Sequence, residues 1–172
     1  MKANAAGQPF DIRPVFDTIE QGGSRDTARA MSQENVENLR AFLETWGREP
    51  WTPEALQRGL PFDMSLLDSH VTYEDATLPD HIGEAYSGHE GIVRAARRWI
   101  EPFEWLLIEL EQIIDADDCL VSIHRLRSKA QHTGMEFDMP LAYVWAFRGG
   151  KVIHFESFRE PGDARDAAGL TK

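Results

Sequence analysis

CLVSIHRLRSKAQHTGMEFDMPLAYVWAFRGGKVIHFESFR, residues 119–159, reads as three consecutive antiparallel strands joined by tight turns. In 119–132, Leu120, Ser122, His124 and Leu126 alternate with Val121, Ile123, Arg125, Arg127 and Lys129. Such alternation marks a strand, because successive side chains leave opposite faces of the pleat. Three cations on one face belong in water, so His124 is expected to face inward. Thr133-Gly134 turns the chain into 135–148, and Gly149-Gly150 suits a two-residue hairpin into 151–159. Tyr143, Trp145 and Phe147 share one face of the middle strand, and Ala142, Val144 and Ala146 share the other. Both faces are apolar. One is free to line a pocket and the other to pack on the core or on a second subunit, which leads to the expectation of a homodimer.

Upstream of this meander, 103–114 predicts a further strand, with Asp115-Ala116-Asp117-Asp118 as its turn. Before it lie mostly helices. Val36, Leu39, Phe42, Leu43 and Trp46 fall at helical spacing and predict a helix over 33–46, ended by Gly47. Thr52 is placed to cap a short helix with Pro53 at its first position, and a further helical turn is expected over 62–67. HVTYED, residues 70–75, alternates as a strand with Tyr73 and Asp75 on one face. Residues 76–87, with Pro79 and Gly83, read as a loop, and 88–99 as a helix with Ile92, Val93, Ala96 and Trp99 inward. A short helix closes the chain over 163–170. Helices first and antiparallel strands after is an α+β order. A strand as long as 119–132 exceeds the usual 3–10 residues and is expected to bend. A curved sheet wrapped around helices leaves a cone-shaped space on its concave side, and a pocket belongs there.

The chain carries a net charge of -11, with 29 acidic and 18 basic residues. That balance opposes nucleic acid and anionic membranes, and Arg94, Arg97 and Arg98 read as a solvated helix face. No apolar run approaches the roughly 20 residues of a membrane-spanning helix. The single cysteine, Cys119, permits no intrachain disulfide and suits a reducing compartment, so a cytoplasmic location is expected. Residues 1–30 are rich in Gly, Ala, Ser, Asp and Arg with scattered apolar residues, and are expected to form a flexible extension. MSQEN, with Met31 as a second possible start and Ser32 as helix cap, begins the domain assigned to 31–172.

MSQENVENLRAFLETW, HVTYED, YSGHEGIVRAARRW, IIDADDCLVSIHRLR, PLAYVWAFRGGKVIHFESF and DAAGL together resemble the nuclear-transport-factor-2-like superfamily in its SnoaL-like, ketosteroid-isomerase-like branch, over residues 31–170. The resemblance implies the cystatin-like roll and a ligand pocket. Its chemistry ranges over isomerases, cyclases, epoxide hydrolases, dehydratases and binding proteins. In ketosteroid isomerases the general base is an Asp at the end of a V-E-D motif, and Tyr73-Glu74-Asp75 places Asp75 there. The acid that steadies the substrate oxygen falls at Tyr143, whose hydroxyl keeps a donor. The helix-one tyrosine falls at Phe42, which has none. The Asp-Arg-Asp relay of limonene-type epoxide hydrolases is not reproduced: Arg125 matches its arginine, but the carboxylate positions read Arg127 and Ser157 or, with a one-residue slip, Glu156.

The candidate catalytic residues are therefore Asp75, His124 and Tyr143, with Tyr73, Phe42, Trp145 and Trp99 as candidate substrate-binding residues. Asp75 beside apolar walls would shuttle a proton, or else cap the turn that follows it. His124 is either its acid–base partner or a hydrogen-bonded core histidine. His89 and Glu90 read as helix caps. His154 and Glu156 fall short of a metal set, and with no phosphate loop or Cys-x-x-Cys motif neither metal nor cofactor is expected. The partner expected is a hydrophobic small molecule. The function expected is cofactor-free acid/base catalysis on a hydrophobic carbonyl compound, by an isomerase, cyclase or lyase, or else non-catalytic ligand binding or a dimeric interaction role.

Overall fold

The computed structural model describes residues 25–77 and 84–170. Among the described residues, four helices, α1 (Arg25–Trp46), α2 (Pro53–Arg58), α3 (Gly88–Ile100) and α4 (Pro161–Ala167), accompany six strands. These are β1 (Leu67–Asp75), β2 (Glu84–Ser87), β3 (Phe103–Asp115), β4 (Leu120–Ala130), β5 (Glu136–Arg148) and β6 (Lys151–Phe158), arranged in one sheet in the order β2-β1-β6-β5-β4-β3. Only β1 and β6 pair in parallel; the other neighbours are antiparallel. The fold is α+β, with an unclosed, curved mixed sheet. Register shifts within the β3–β4 pair between Phe103 and Trp105 and between Leu110 and Gln112, and in β5–β6 between Ala146 and Phe147, supply the bends that long strands require.

Helices α1 and α3 close over the concave side. Leu39, Phe42, Leu43 and Trp46 of α1 are buried, as are Ile92, Ala95, Ala96, Trp99 and Ile100 of α3. Helix α1 lies mainly against β3, and α3 against β1 and β2. Thr52 caps α2 by accepting from the Ala55 N–H at 3.1 Å. The Trp51 indole N–H donates to the Trp46 carbonyl at 3.1 Å, satisfying one of the acceptors left open at the end of α1. Gly47 follows without the left-handed cap expected of it; a side chain there would meet the Ile108 carbonyl at 3.2 Å, so close approach to β3 is what excludes one.

Several sequence expectations change. Helix α1 begins at Arg25 rather than Gln33, because Ala28, Arg29, Ala30 and Met31 are all good helix formers. Ser32 thus lies inside the helix, and its hydroxyl bonds Asp115 instead of capping. Glu84–Ser87, read as loop, pairs with β1. His89 is no cap either: its Nε2 lies 3.0 Å from the Leu67 carbonyl, tying α3 to the start of β1. Finally, Val121 and Ile123 share a face with exposed Arg125 and Arg127 yet are buried. Val121 clusters with Ala142, Val144 and Ala164, so α4 covers this part of the convex face. The proposed boundary at residue 30 falls within α1, and residues 1–24 lie outside the described residues.

Candidate functional site

Strand register sets two layers of side chains across the concave face. In the first, Tyr73 of β1 is opposite Tyr86 of β2 and Phe155 of β6, and Phe155 is opposite Trp145 of β5. Their rings stack in a row, at centroid distances of 5.8, 4.5 and 4.7 Å. One step further along the strands the facing residues become Asp75, Ser157, Tyr143 and Ser122. This second layer is polar and fully interior: Asp75, Ser157 and Ser122 have no exposed surface and Tyr143 almost none.

Asp75 ends β1 with both carboxyl oxygens engaged. Oδ1 accepts from the Thr77 N–H at 2.9 Å, the Thr77 hydroxyl at 2.6 Å and the Ser157 hydroxyl at 3.1 Å. Oδ2 accepts from the Trp99 indole N–H at 2.7 Å. Every one of these partners presents a hydrogen, which is the environment of a carboxylate. The bonds to Thr77 are the turn cap considered from sequence; the bonds to Ser157 and Trp99 reach across the fold and belong to no cap. The Tyr73 hydroxyl lies 2.9 Å from Ser157 Oγ. Burial above all, then the charges of Asp75 and Tyr143, hold the Tyr73 hydroxyl well above its ordinary pKa. Burial and Asp75 do the same to Tyr143. Both phenols are therefore protonated donors across the physiological range.

A cavity adjoins this layer. It offers about 50 Å³ to the centre of a water molecule, several times the ~10–15 Å³ that one water needs. Seven aromatic side chains line it, Trp46, Trp51, Phe62, Tyr73, Trp99, Tyr143 and Phe155, together with Ile92, Ala95, Ala96 and Ile108. Of the expected site residues, Tyr73, Trp99 and Tyr143 line the cavity, and Asp75 stands directly behind two of them. Phe42 and Trp145 lie outside the lining. Phe42 is packed against Trp46, Phe62 and Trp145, and Trp145 against Phe155. Their inward faces are taken up by these ring contacts.

His124 faces inward, and it too lies off the cavity. It has no exposed surface, its Nε2 is 2.8 Å from Ser122 Oγ, and that same oxygen accepts from the Trp145 N–H at 2.8 Å. Burial pushes its pKa down to about 3, so it is neutral at any physiological pH. Trp46, which stacks on His124 at 6.0 Å, reads in the sequence as core of the first helix and not as a site residue, and its buried indole N–H has no hydrogen-bond partner among the described residues. Ser157 was also missed as a site residue. Its signal was a serine on the otherwise apolar Phe155 face of a buried strand, the kind of polar residue that burial makes informative. No group of three or more His, Cys, Asp or Glu suited to a metal occurs among the described residues.

Comparison with known proteins agrees with this architecture. A family model described as a SnoaL-like domain matches residues 39–155. Among solved structures, a candidate SnoaL-like polyketide cyclase from Jannaschia sp. CCS1 superposes with a TM-score of 0.56 at 19% identity, covering 89% of this chain and 100% of that one. An NTF2-like protein from Burkholderia thailandensis E264 gives 0.55 at 23% identity, over 80% and 95%. A phenazine biosynthesis-related protein from Pseudomonas aeruginosa gives 0.54 at 13% identity, over 92% and 94%. At such identities the likeness concerns the fold. No curated protein matches the sequence.

Proposed function

This chain belongs to the SnoaL-like domain family, and from that premise we propose that it is a cofactor-free acid/base enzyme, an isomerase, cyclase or lyase, acting on a hydrophobic carbonyl compound. Asp75 is its general base. Tyr143, a protonated phenol in the cavity wall, donates to the oxygen on which negative charge develops. Tyr73 and Trp99 hold the ligand's apolar body. The observation that carries the reading is a fully interior carboxylate, bonded to Trp99 and to the partner of Tyr73, behind the wall of a cavity lined by aromatic and aliphatic side chains. A carboxylate placed there can take up a proton drawn from an acidic C–H in a medium where water does not compete. His124 takes no part: it is sealed from the cavity and too weakly basic to hold a proton.

The test has two stages. Ring ketones that bind the native protein raise its melting temperature by mass action. For whichever compound binds, Asp75→Asn is expected to abolish turnover and leave affinity within a few-fold. Undiminished turnover in that variant would remove Asp75 from the chemistry. A second reading, binding without turnover, is favoured by the engagement of both Asp75 oxygens by protein donors; binding with no turnover by the wild type would establish it. We place the protein in the cytoplasm, where its buried free thiol Cys119 would stay reduced. The homodimer stands as part of this proposal on narrower ground, because α4 already covers Ala142 and Val144. Sedimentation as a monomer at micromolar concentration would remove it.

A further inference from the structure

Building on the reading of Asp75 as base, we propose that Asp75 does not touch the ligand and instead receives its proton through a relay, with Tyr73 as the group in contact with the ligand and Ser157 as the link. The distances form an unbroken chain, 2.9 Å from Tyr73 Oη to Ser157 Oγ and 3.1 Å from Ser157 Oγ to Asp75 Oδ1. Tyr73 lines the cavity; Asp75 and Ser157 do not. Trp99 stands on the cavity side of Asp75, with its N–H on Oδ2.

The direction of the bonds follows from proton counting. A carboxylate only accepts, so the single hydroxyl hydrogen of Ser157 points to Asp75. Ser157 Oγ then faces Tyr73 with a lone pair, and the Tyr73 hydroxyl must donate to it. The Trp99 indole N–H also reaches the Tyr73 hydroxyl, and the remaining lone pair of Tyr73 Oη is left for the cavity. The relay is thus set to take a proton from the ligand.

The ligand's C–H bond next to its carbonyl breaks, and the proton goes to Tyr73 Oη. The former Tyr73 proton passes to Ser157 Oγ, and the Ser157 proton to Asp75 Oδ1. The electron pair stays on the ligand as an enolate, whose oxygen accepts from Tyr143. Asp75 becomes neutral, and running the chain backwards returns a proton to the ligand at the same or another carbon. Tyr73 never carries a charge, which fits a phenol whose ionisation burial strongly opposes. Register supports the assignment: Ser157 is opposite both Asp75 and Tyr143, so one strand holds the link between the base and the oxygen donor.

The probe is 2-indanone, a compact ketone with acidic C–H bonds, whose hydrogen–deuterium exchange is followed by NMR. Ser157→Ala and Tyr73→Phe each break the chain and leave Asp75 in place. Each is expected to lower kcat for exchange by about 10²-fold with KM within a factor of three. Ser157→Thr, which restores a hydroxyl, is expected to recover most of the rate, and a merely structural serine would not show that split between kcat and KM. In mixed light and heavy water the wild-type rate is expected to bow with deuterium fraction, because several protons move together. Rates within threefold of wild type for both Ser157→Ala and Tyr73→Phe, beside a dead Asp75→Asn, would overturn the relay and leave Asp75 as a direct base. A wild-type rate in Asp75→Asn, or no exchange by the wild type, would overturn the relay and the underlying reading together.

Discussion

Two buried titratable groups face the same concave surface and have opposite surroundings. Asp75, at the β1–β6 side, has donors from Thr77, Ser157 and Trp99, and two residues that bond or flank it line the cavity. His124, at the β4–β5 side, shares Ser122 with Trp145, leaves Nδ1 without a partner among the described residues, and does not line the cavity. Both are fully interior. Burial by itself therefore does not mark a working group. What separates the two is connection to the cavity through hydrogen-bonded neighbours.

The comparison breaks most visibly at the shared wall between the two regions. Trp145 stacks on Phe155 and anchors Ser122, so Trp145→Ala is expected to cost about 3–5 kcal/mol in chemical denaturation. A loss under 1 kcal/mol would mean that the aromatic row does not hold the sheet. Asp75→Asn comes next, at about 1–3 kcal/mol. The amide oxygen can keep Thr77, but the amide nitrogen then faces the Trp99 N–H, donor against donor. Adding Trp99→Phe removes that clash and is expected to return part of the loss. A double variant less stable than the sum of its singles would show that the Trp99 bond is of little consequence. Catalytic comparisons with Asp75→Asn accordingly require matched folded fractions.

The histidine side makes a contribution that depends on pH. An unfolded histidine takes a proton near pH 6.5, whereas burial holds His124 down to about 3 and His154 to about 4. Between those values the unfolded chain binds protons that the native state refuses. Their effect on stability is absent above pH ~6.5 and grows unfavourable as pH falls, by about 1.4 kcal/mol per unit for each histidine. His124→Asn should flatten the wild-type decline between pH 6.5 and 4.5. An unchanged slope would show that His124 titrates normally. The smallest effect is expected at the far end of α1: starting the chain at Met31 removes residues 25–30 of the helix and should lower the melting temperature by only a few degrees. A drop of ten degrees or more would place the segment in the fold.

The strands were largely legible because alternation is a local signal. The 135–148 and 151–159 expectations fall within a residue or two of β5 and β6, and Gly149 and Gly150 take the positive φ angles, 57° and 75°, that their turn required. Strand β2 was not legible, since Pro79 and Gly83 announce a loop and its strand character comes from pairing with β1. The inward direction of Tyr73, Asp75 and His124 could be read from period two. Whether an inward residue reaches a cavity could not, because that depends on how helices and strands meet; hence Phe42 and Trp46 belong to one apolar stripe in sequence, and only Trp46 of the two lines the cavity. Ser157 gains its meaning only from register with Asp75, some eighty residues earlier.

The most direct test of Asp75 as the cavity's base is NMR-monitored hydrogen–deuterium exchange of 2-indanone by wild type and Asp75→Asn at equal folded fraction and saturating ketone. The expected result is measurable exchange by the wild type and a rate at least ~10²-fold lower in the variant, with unchanged KM. Equal rates in the two proteins would contradict it.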